Sequence, residues 1–453
     1  MPLWDLRGWH GLCLRFLVAS LPILFAFEHM PASQQAAVPP ASESELLDIR
    51  DRQDVPAMRK HAWGVYVAIT KPSDPRLRDS PPIWDTWEDK GDLFAEGPPI
   101  NVDHSKRRQI DLPIEVLASI RSRSANEDDA VRDATAYVRQ RGVGPEVLYN
   151  PAAALHIRTN GLNKEQGLKD RWKVLKDLNA PISESSIVEF PRSAIVVKAM
   201  WLTVGPRSSQ VLQVWDPPNK SLASCEYGCS SIVKVRLVSP EEPCNLPALS
   251  EPVFSSCFYN VPDPKRNGYR LVLFGLHIAT KEIRDWTWST FWWQRDPENG
   301  PYARNRPDKT VLEGYWRNYV MDTTLSMVTP EEKPRIGATI PPQRCQITPL
   351  STARVCFNPY LELGMKNGEL SNCVNCHRQA TYPAMKPDPR GTPQRGYLSS
   401  DDRCFGTQET KAGTQERVMK VDYLWSLSPV SRETDLGQFL LSVQNQLLKL
   451  ETK

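Results

Sequence analysis

Runs rich in β-branched residues, bounded by Pro and Gly, predict strands at residues 186–190, 194–204 (AIVVKAMWLTV), 210–215 and 231–238 (SIVKVRLV). Residues 269–294, YRLVLFGLHIATKEIRDWTWSTFWWQ, read as two more strands joined by a polar connection at 281–285. Alternation puts Trp286, Trp288 and Trp292 on one face of the second strand, and Phe291 and Trp293 on the other. Both faces are then apolar, as in a central strand between packed layers. Helical spacing appears at 127–141, which has acidic residues in its opening turn and Gly142 just past its end, and at 164–178. A last helix is predicted over 433–450, where Leu436, Phe439, Leu440, Val443, Leu447 and Leu450 share one side.

The same pattern divides the chain. Residues 16–27 form an apolar run of twelve behind Arg7 and Arg15, and Glu28 and His29 end it. That length suits the core of an export signal better than a membrane span. Small residues follow, so cleavage is expected near Ala36 or Ala37, although Gln35 spoils a clean A-x-A site. A buried N-terminal core helix is the competing reading. Residues 1–37 are thus taken as a signal peptide, 38–60 as a polar linker and 61–330 as a β-rich domain of unknown activity. The Pro-dense stretch around 329–350 marks a boundary, with a linker over 331–355. A small, mostly helical domain over 356–453 completes an α+β fold.

The chemistry concentrates in SNCVNCHRQA. Cys373 and Cys376 stand three positions apart, with His377 directly after. This is the attachment pattern of c-type haem. On one helical turn, two sulfurs can form thioethers to the haem vinyl groups while the next imidazole ligates iron. A zinc site would need a second paired cluster, and there is no other CxxC or HxxxH. A thioredoxin-like redox pair would want a βαβ unit, which is not visible. A Cys373–Cys376 disulfide would leave His377 unexplained. Export and covalent haem support each other, because c-type haem is attached outside the cytoplasmic membrane.

A terminal amphipathic helix packed on the helix before a CxxCH is the plan of small class I cytochromes c, which the last hundred or so residues resemble. Over its whole length the chain resembles a group of exported bacterial cytochrome c family proteins. WDTWEDKGDLF, GLHIATK, WTWSTFWW, FNPYLELG and SNCVNCH carry that resemblance. It implies one covalent haem c, a periplasmic location and a large preceding domain, but no substrate. The sixth iron ligand then matters most. A Met or His would close the iron for electron transfer, and an open position would admit substrate. Met419, 42 residues after His377, leads; a strand with Val418, Val421 and Tyr423 would instead make it a core residue. Met385 follows His377 too closely, and Met365 lies upstream. His277, ordinarily a buried core histidine, is the alternative distal ligand and would join the large domain to the haem.

Composition narrows the partners. Charged residues are 24 % of the chain and the net charge is +3, so no nucleic-acid surface is indicated, and Lys106-Arg107-Arg108 reads as a solvated face. A membrane partner follows only if the N-terminal segment stays uncleaved. Seven cysteines remain beyond Cys13 and the CxxC, an odd number suited to an oxidising compartment with at least one thiol left over. Cys225–Cys229, Cys244–Cys257 and Cys345–Cys356 are the expected local bridges. GxSxG, HExxH, P-loop and dinucleotide patterns are absent. The leading expectation is an exported mono-haem electron carrier with a redox protein partner. The alternatives are a periplasmic haem oxidoreductase that binds a small-molecule substrate in its N-terminal domain, and a haem-based sensory or binding module.

Overall fold

The computed structural model describes residues 41–76, 80–94, 144–177, 187, 189–204, 210–215, 230–235, 253–257, 270–298, 300–326, 356–358, 372–378, 380–383, 407–409 and 415–427. The expected signal peptide, the 331–355 linker, the helices expected at 127–141 and 433–450, Met365 and Met385 lie outside the described residues. Helices and antiparallel sheet are mixed in the described parts, an α+β arrangement. No helix among the described residues is long and apolar enough to cross a membrane.

The stretch expected as a polar linker, 38–60, is helical over most of its length. Helix α1 covers Glu43–Asp51 and α2 covers Val55–Thr70. Ser42 caps α1 by accepting the Glu45 amide, and Asp54 caps α2 by accepting the Ala57 amide at 3.0 Å. The local signals, a Ser and an Asp each just ahead of a helix, were present in the sequence. They were outweighed by the polar composition of the stretch and by Pro39 and Pro40 at its start, which read as a linker. Burial settles the period: Met58, Ala62, Trp63, Tyr66, Ile69 and Thr70 follow three- and four-residue steps.

Further along lie β1 (Glu88–Asp89), α3 (Lys90–Phe94), β2 (Gly144–Tyr149), α4 (Pro151–Thr159) and α5 (Glu165–Asp177). Strands β3 (Ile195–Val204), β4 (Gln210–Trp215), β5 (Ser230–Val235), β6 (Ser255–Cys257), β7 (Arg270–Thr280), β8 (Thr287–Trp293) and β9 (Tyr319–Thr324) follow. Five of these strands and α5 sit close to where the pattern puts them. Residues 187, 189 and 190 form no strand, contrary to expectation.

One antiparallel sheet runs β1-β2-β3-β7-β8-β9, with β6 also paired to β7. Strand β7 is long enough to serve two neighbours on one side. Its first residues pair with β6 (Ser255 opposite Val272), and Gly275 to Thr280 pair with β8. Its other side pairs along its length with β3, from Ile195 opposite Thr280 to Val204 opposite Arg270. Strands β4 and β5 form a separate hairpin. Every residue of β8 is buried, as two apolar faces require.

Each sheet face is covered. On one, Trp63 and Tyr66 of α2 pack on Phe291, with the Tyr66 and Phe291 rings stacked at 4.2 Å. On the other, α4 and Trp286 and Trp288 share a core with Cys356, Cys373, Val374, Tyr382, Met419 and Leu424. The described pieces of the C-terminal segment are therefore packed on the sheet. They comprise the helical turn α6 (Cys373–His377) and the short strands β10 (Thr381–Tyr382), β11 (Thr407–Glu409), β12 (Gln415–Arg417) and β13 (Met419–Lys420). Strand β10 pairs with β13, and β11 with β12.

Candidate functional site

The CxxCH residues occupy the single turn α6. The Cys376 amide bonds the Asn372 carbonyl at 3.1 Å and the Arg378 amide bonds Val374 at 2.9 Å, which makes the turn helical. The Asn372 side chain donates to the Ser326 carbonyl at 3.1 Å and so pins the start of the turn just beyond β9. Residues 356–358 dock beside it. Asn358, fully buried, donates to Thr290 Oγ1 at 2.7 Å and to the Phe291 carbonyl at 3.0 Å. These amides satisfy buried acceptors that would otherwise be lost on packing.

His377 is fixed by backbone. Its Nδ1 lies 2.8 Å from the Tyr423 carbonyl oxygen. A carbonyl only accepts, so Nδ1 carries the proton and Nε2 keeps its lone pair. Metal-ligating histidines take this arrangement, in which the second nitrogen holds tautomer and ring orientation. The carbonyl is aimed by an unusual turn: Asp422 and Tyr423 both have positive φ, 47° and 67°.

That turn is anchored by charge. Asp422 Oδ1 sits 2.7 Å from Lys281 Nζ and accepts the Trp286 indole N–H at 3.2 Å, while Oδ2 accepts the Phe190 amide at 3.2 Å. The Lys281 side chain is 1 % exposed and also donates to the Arg284 carbonyl. Tyr423 returns its hydroxyl to Asp285 Oδ1 at 2.9 Å. Burial alone would raise the Asp285 pKa. The Arg284 bond, the charges of Arg284 and Arg378 and the Tyr423 hydroxyl outweigh it and leave the carboxyl below its ordinary value.

His277 stands mid-strand on β7, opposite Lys198 of β3 and Thr290 of β8. It is 6 % exposed, and neither ring nitrogen has a hydrogen-bond partner among the described residues. A buried imidazole with two unsatisfied nitrogens is a costly feature in a core. Its ring lies nearly parallel to His377, with an interplanar angle of 14° and centroids 5.8 Å apart. Trp288 completes the group, 4.2 Å from His377 and 5.8 Å from His277. Burial, with help from His377 and Lys198, pushes His277 well below the ordinary histidine value. Burial holds His377 down to about 4, against the opposing effect of its bond to Tyr423. Both rings are therefore neutral at pH 7, the protonation state in which imidazole binds metal.

The residues present fit a haem c in their donor chemistry: two thiols on one turn, a tautomer-locked imidazole and, beside it, a second imidazole without a hydrogen-bond partner among the described residues. Among the described residues, no group of three or more His, Cys, Asp and Glu could hold a metal ion by itself.

The other candidates are placed differently. Met419, fully buried in β13, pairs with Tyr382 and belongs to the apolar cluster around Cys373 and Val374. That is the core role its neighbours Val418 and Val421 offered. The sulfur of Cys373 lies 3.3 Å from that of Cys356, the residue expected to bridge to Cys345. Cys345 lies outside the described residues, as do Cys225, Cys229, Cys244 and Cys404.

Sequence reading missed Tyr423, Asp422, Lys281 and Asp285 as supports of the site. Backbone carbonyls leave no trace in a motif, and in the positive-φ turn Asp422 is a type that tolerates this region whereas Tyr423 gives no such signal. No family model matches the chain, and neither does any curated protein or solved structure.

Proposed function

We propose that this chain is an exported c-type cytochrome that holds one haem between its C-terminal CxxCH and its β-sheet, and transfers electrons. One observation carries the reading. A buried His277, whose two nitrogens have no hydrogen-bond partner among the described residues, lies beside His377, whose Nδ1 is already fixed by a carbonyl.

Cys373 and Cys376 are the thioether residues and His377 Nε2 is the proximal ligand. The Tyr423 carbonyl orients that imidazole and raises its basicity. His277, rather than Met419, would hold the iron together with His377. Trp288 flanks both rings. Haem, when bound, supplies a one-electron couple, and two imidazole ligands close the iron to exogenous molecules. A closed iron favours electron transfer over oxygen, peroxide or substrate chemistry. The N-terminal apolar run of residues 16–27 supports delivery to the compartment where thioethers form.

The test is a pyridine haemochrome spectrum with a CO-difference spectrum, on protein produced with haem-attachment machinery. The expected result is an α-band typical of two thioethers and no CO binding. His277→Ala should open the iron to CO, while Met419→Leu should leave it closed. Protein without covalent haem would remove the reading altogether. Ready CO binding by the unaltered protein would replace the electron carrier with an open-iron enzyme or gas sensor.

A further inference from the structure

The CxxC pair has a third thiol beside it. Cys356 and Cys373 are both buried, 0 % and 4 % exposed, with sulfurs 3.3 Å apart, and Cys373 Sγ also approaches the Cys356 carbonyl at 3.6 Å. The approach is built into the fold. Asn358, two residues beyond Cys356, is bonded to Thr290 and Phe291, and Asn372, directly before Cys373, is bonded to Ser326. Both backbones are thus tied to the sheet region with their side chains converging. A disulfide bond is about 2.05 Å long, so closing it requires an approach of roughly 1.3 Å, within reach of side-chain rotation. Cys376, on the same helical turn as Cys373, is only partly buried and is the member of the trio that solvent reaches.

We propose that Cys356 and Cys373 form a reversible disulfide that withholds the Cys373 sulfur from haem attachment, with Cys376 as the entry thiol. The sequence of exchanges balances with an oxidised dithiol protein, or oxidised glutathione, as electron acceptor. The Cys376 thiolate attacks the acceptor's disulfide, forming a mixed disulfide and releasing one acceptor thiol. Cys373 then displaces the second acceptor thiol and forms a Cys373–Cys376 disulfide. Cys356 attacks the Cys373 sulfur, and Cys376 leaves as a thiolate. Two electrons and two protons pass from Cys356 and Cys373 to the acceptor, and Cys376 ends as it began. Reduction by a dithiol runs the path backwards and returns Cys373. The disulfide itself stands independently of haem, whereas its role as a gate rests on the function proposed above.

Full-length protein produced without haem would be treated with oxidised glutathione, alkylated under denaturing conditions, digested with trypsin and mapped by mass spectrometry. Lys366 separates Cys356 from the CxxC on digestion. The expected product is the peptide with Cys356 linked to the peptide with Cys373, two hydrogens lighter than their sum, with Cys376 alkylated. Cys376→Ser should slow its formation about tenfold without abolishing it. Complete alkylation of Cys356, or its linkage to any other cysteine, would overturn the disulfide. Cys356→Ser, produced with attachment machinery, should raise the haem-loaded fraction at least twofold during oxidising growth. An unchanged fraction would overturn the gate. Linkage of Cys356 to Cys373 in a chain that never takes haem would sustain the disulfide and remove both the gate and the proposed function.

Discussion

Asp422 is the residue through which the site depends on charge. Its carboxylate meets Lys281, the Trp286 indole and the Phe190 amide, and its backbone begins the turn that presents the Tyr423 carbonyl to His377. Breaking a buried ion pair from one side costs about 3–5 kcal/mol when the other charge is left uncompensated, and here Glu189 Oε1, 3.3 Å from Lys281 Nζ, offsets part of that loss. Asp422→Ala is therefore expected to lose about 3 kcal/mol, read from the urea midpoint with an unchanged m-value. Tyr423→Phe removes only the hydroxyl bond to Asp285 and should cost about 1 kcal/mol, since the carbonyl stays in place. Equal losses from the two substitutions would mean that the charged anchor carries no special share of the turn.

Among the elements, the entry to α4 shows how one side chain joins a helix to the sheet. Asn150 Oδ1 accepts the Ala153 amide at the helix start and the Ile195 amide at the start of β3, both at 3.0 Å, and its Nδ2 donates to the Ser193 carbonyl at 2.8 Å. A cap alone is worth about 1 kcal/mol, and a buried amide left without an acceptor adds about as much again. Asn150→Ala should therefore cost about 2–3 kcal/mol in denaturant unfolding. Asn150→Asp keeps the acceptor oxygen and should recover the larger part. If Asn150→Ala lost less than about 1 kcal/mol, the link to β3 would contribute nothing beyond the cap.

At the scale of the molecule, the β7–β8 connection is where the C-terminal segment is tied to the sheet. Lys281 and Asp285 from that connection hold Asp422 and Tyr423, more than 130 residues later in the chain. The Asp285 pKa is depressed in the folded protein. A depressed carboxyl contributes stability above its unfolded value, near 4, and that contribution is lost as pH falls through the lower folded value. Acid should therefore loosen the C-terminal segment from the sheet. Unfolding midpoints measured from pH 6 to pH 2 should fall more steeply for the unaltered protein than for Asp285→Asn. Parallel curves would show that Asp285 takes no part in the acid response.

Much of this arrangement was legible in the sequence because it rests on local periodicity. Strands β3, β4, β5, β7 and β8 and helix α5 declare themselves through β-branched runs and helical spacing, and the two apolar faces of β8 announce a central strand. CxxCH is legible for the same reason, since its three side chains are adjacent in the chain. His277 could be named as a candidate ligand from sequence but not ranked above Met419. Which of the two lies beside His377 follows from the register of β7 against β8 and the docking of 372–378 on the sheet. Helices α1 and α2 were obscured because the polar, Pro-led composition of 38–60 reads as a linker until burial of residues such as Leu46, Met58 and Trp63 reveals the helical period. The Tyr423 carbonyl, the Lys281–Asp422 anchor and the Cys356–Cys373 approach are contacts between segments far apart in the chain. Their chemistry is carried by distance and orientation, which only the folded backbone sets.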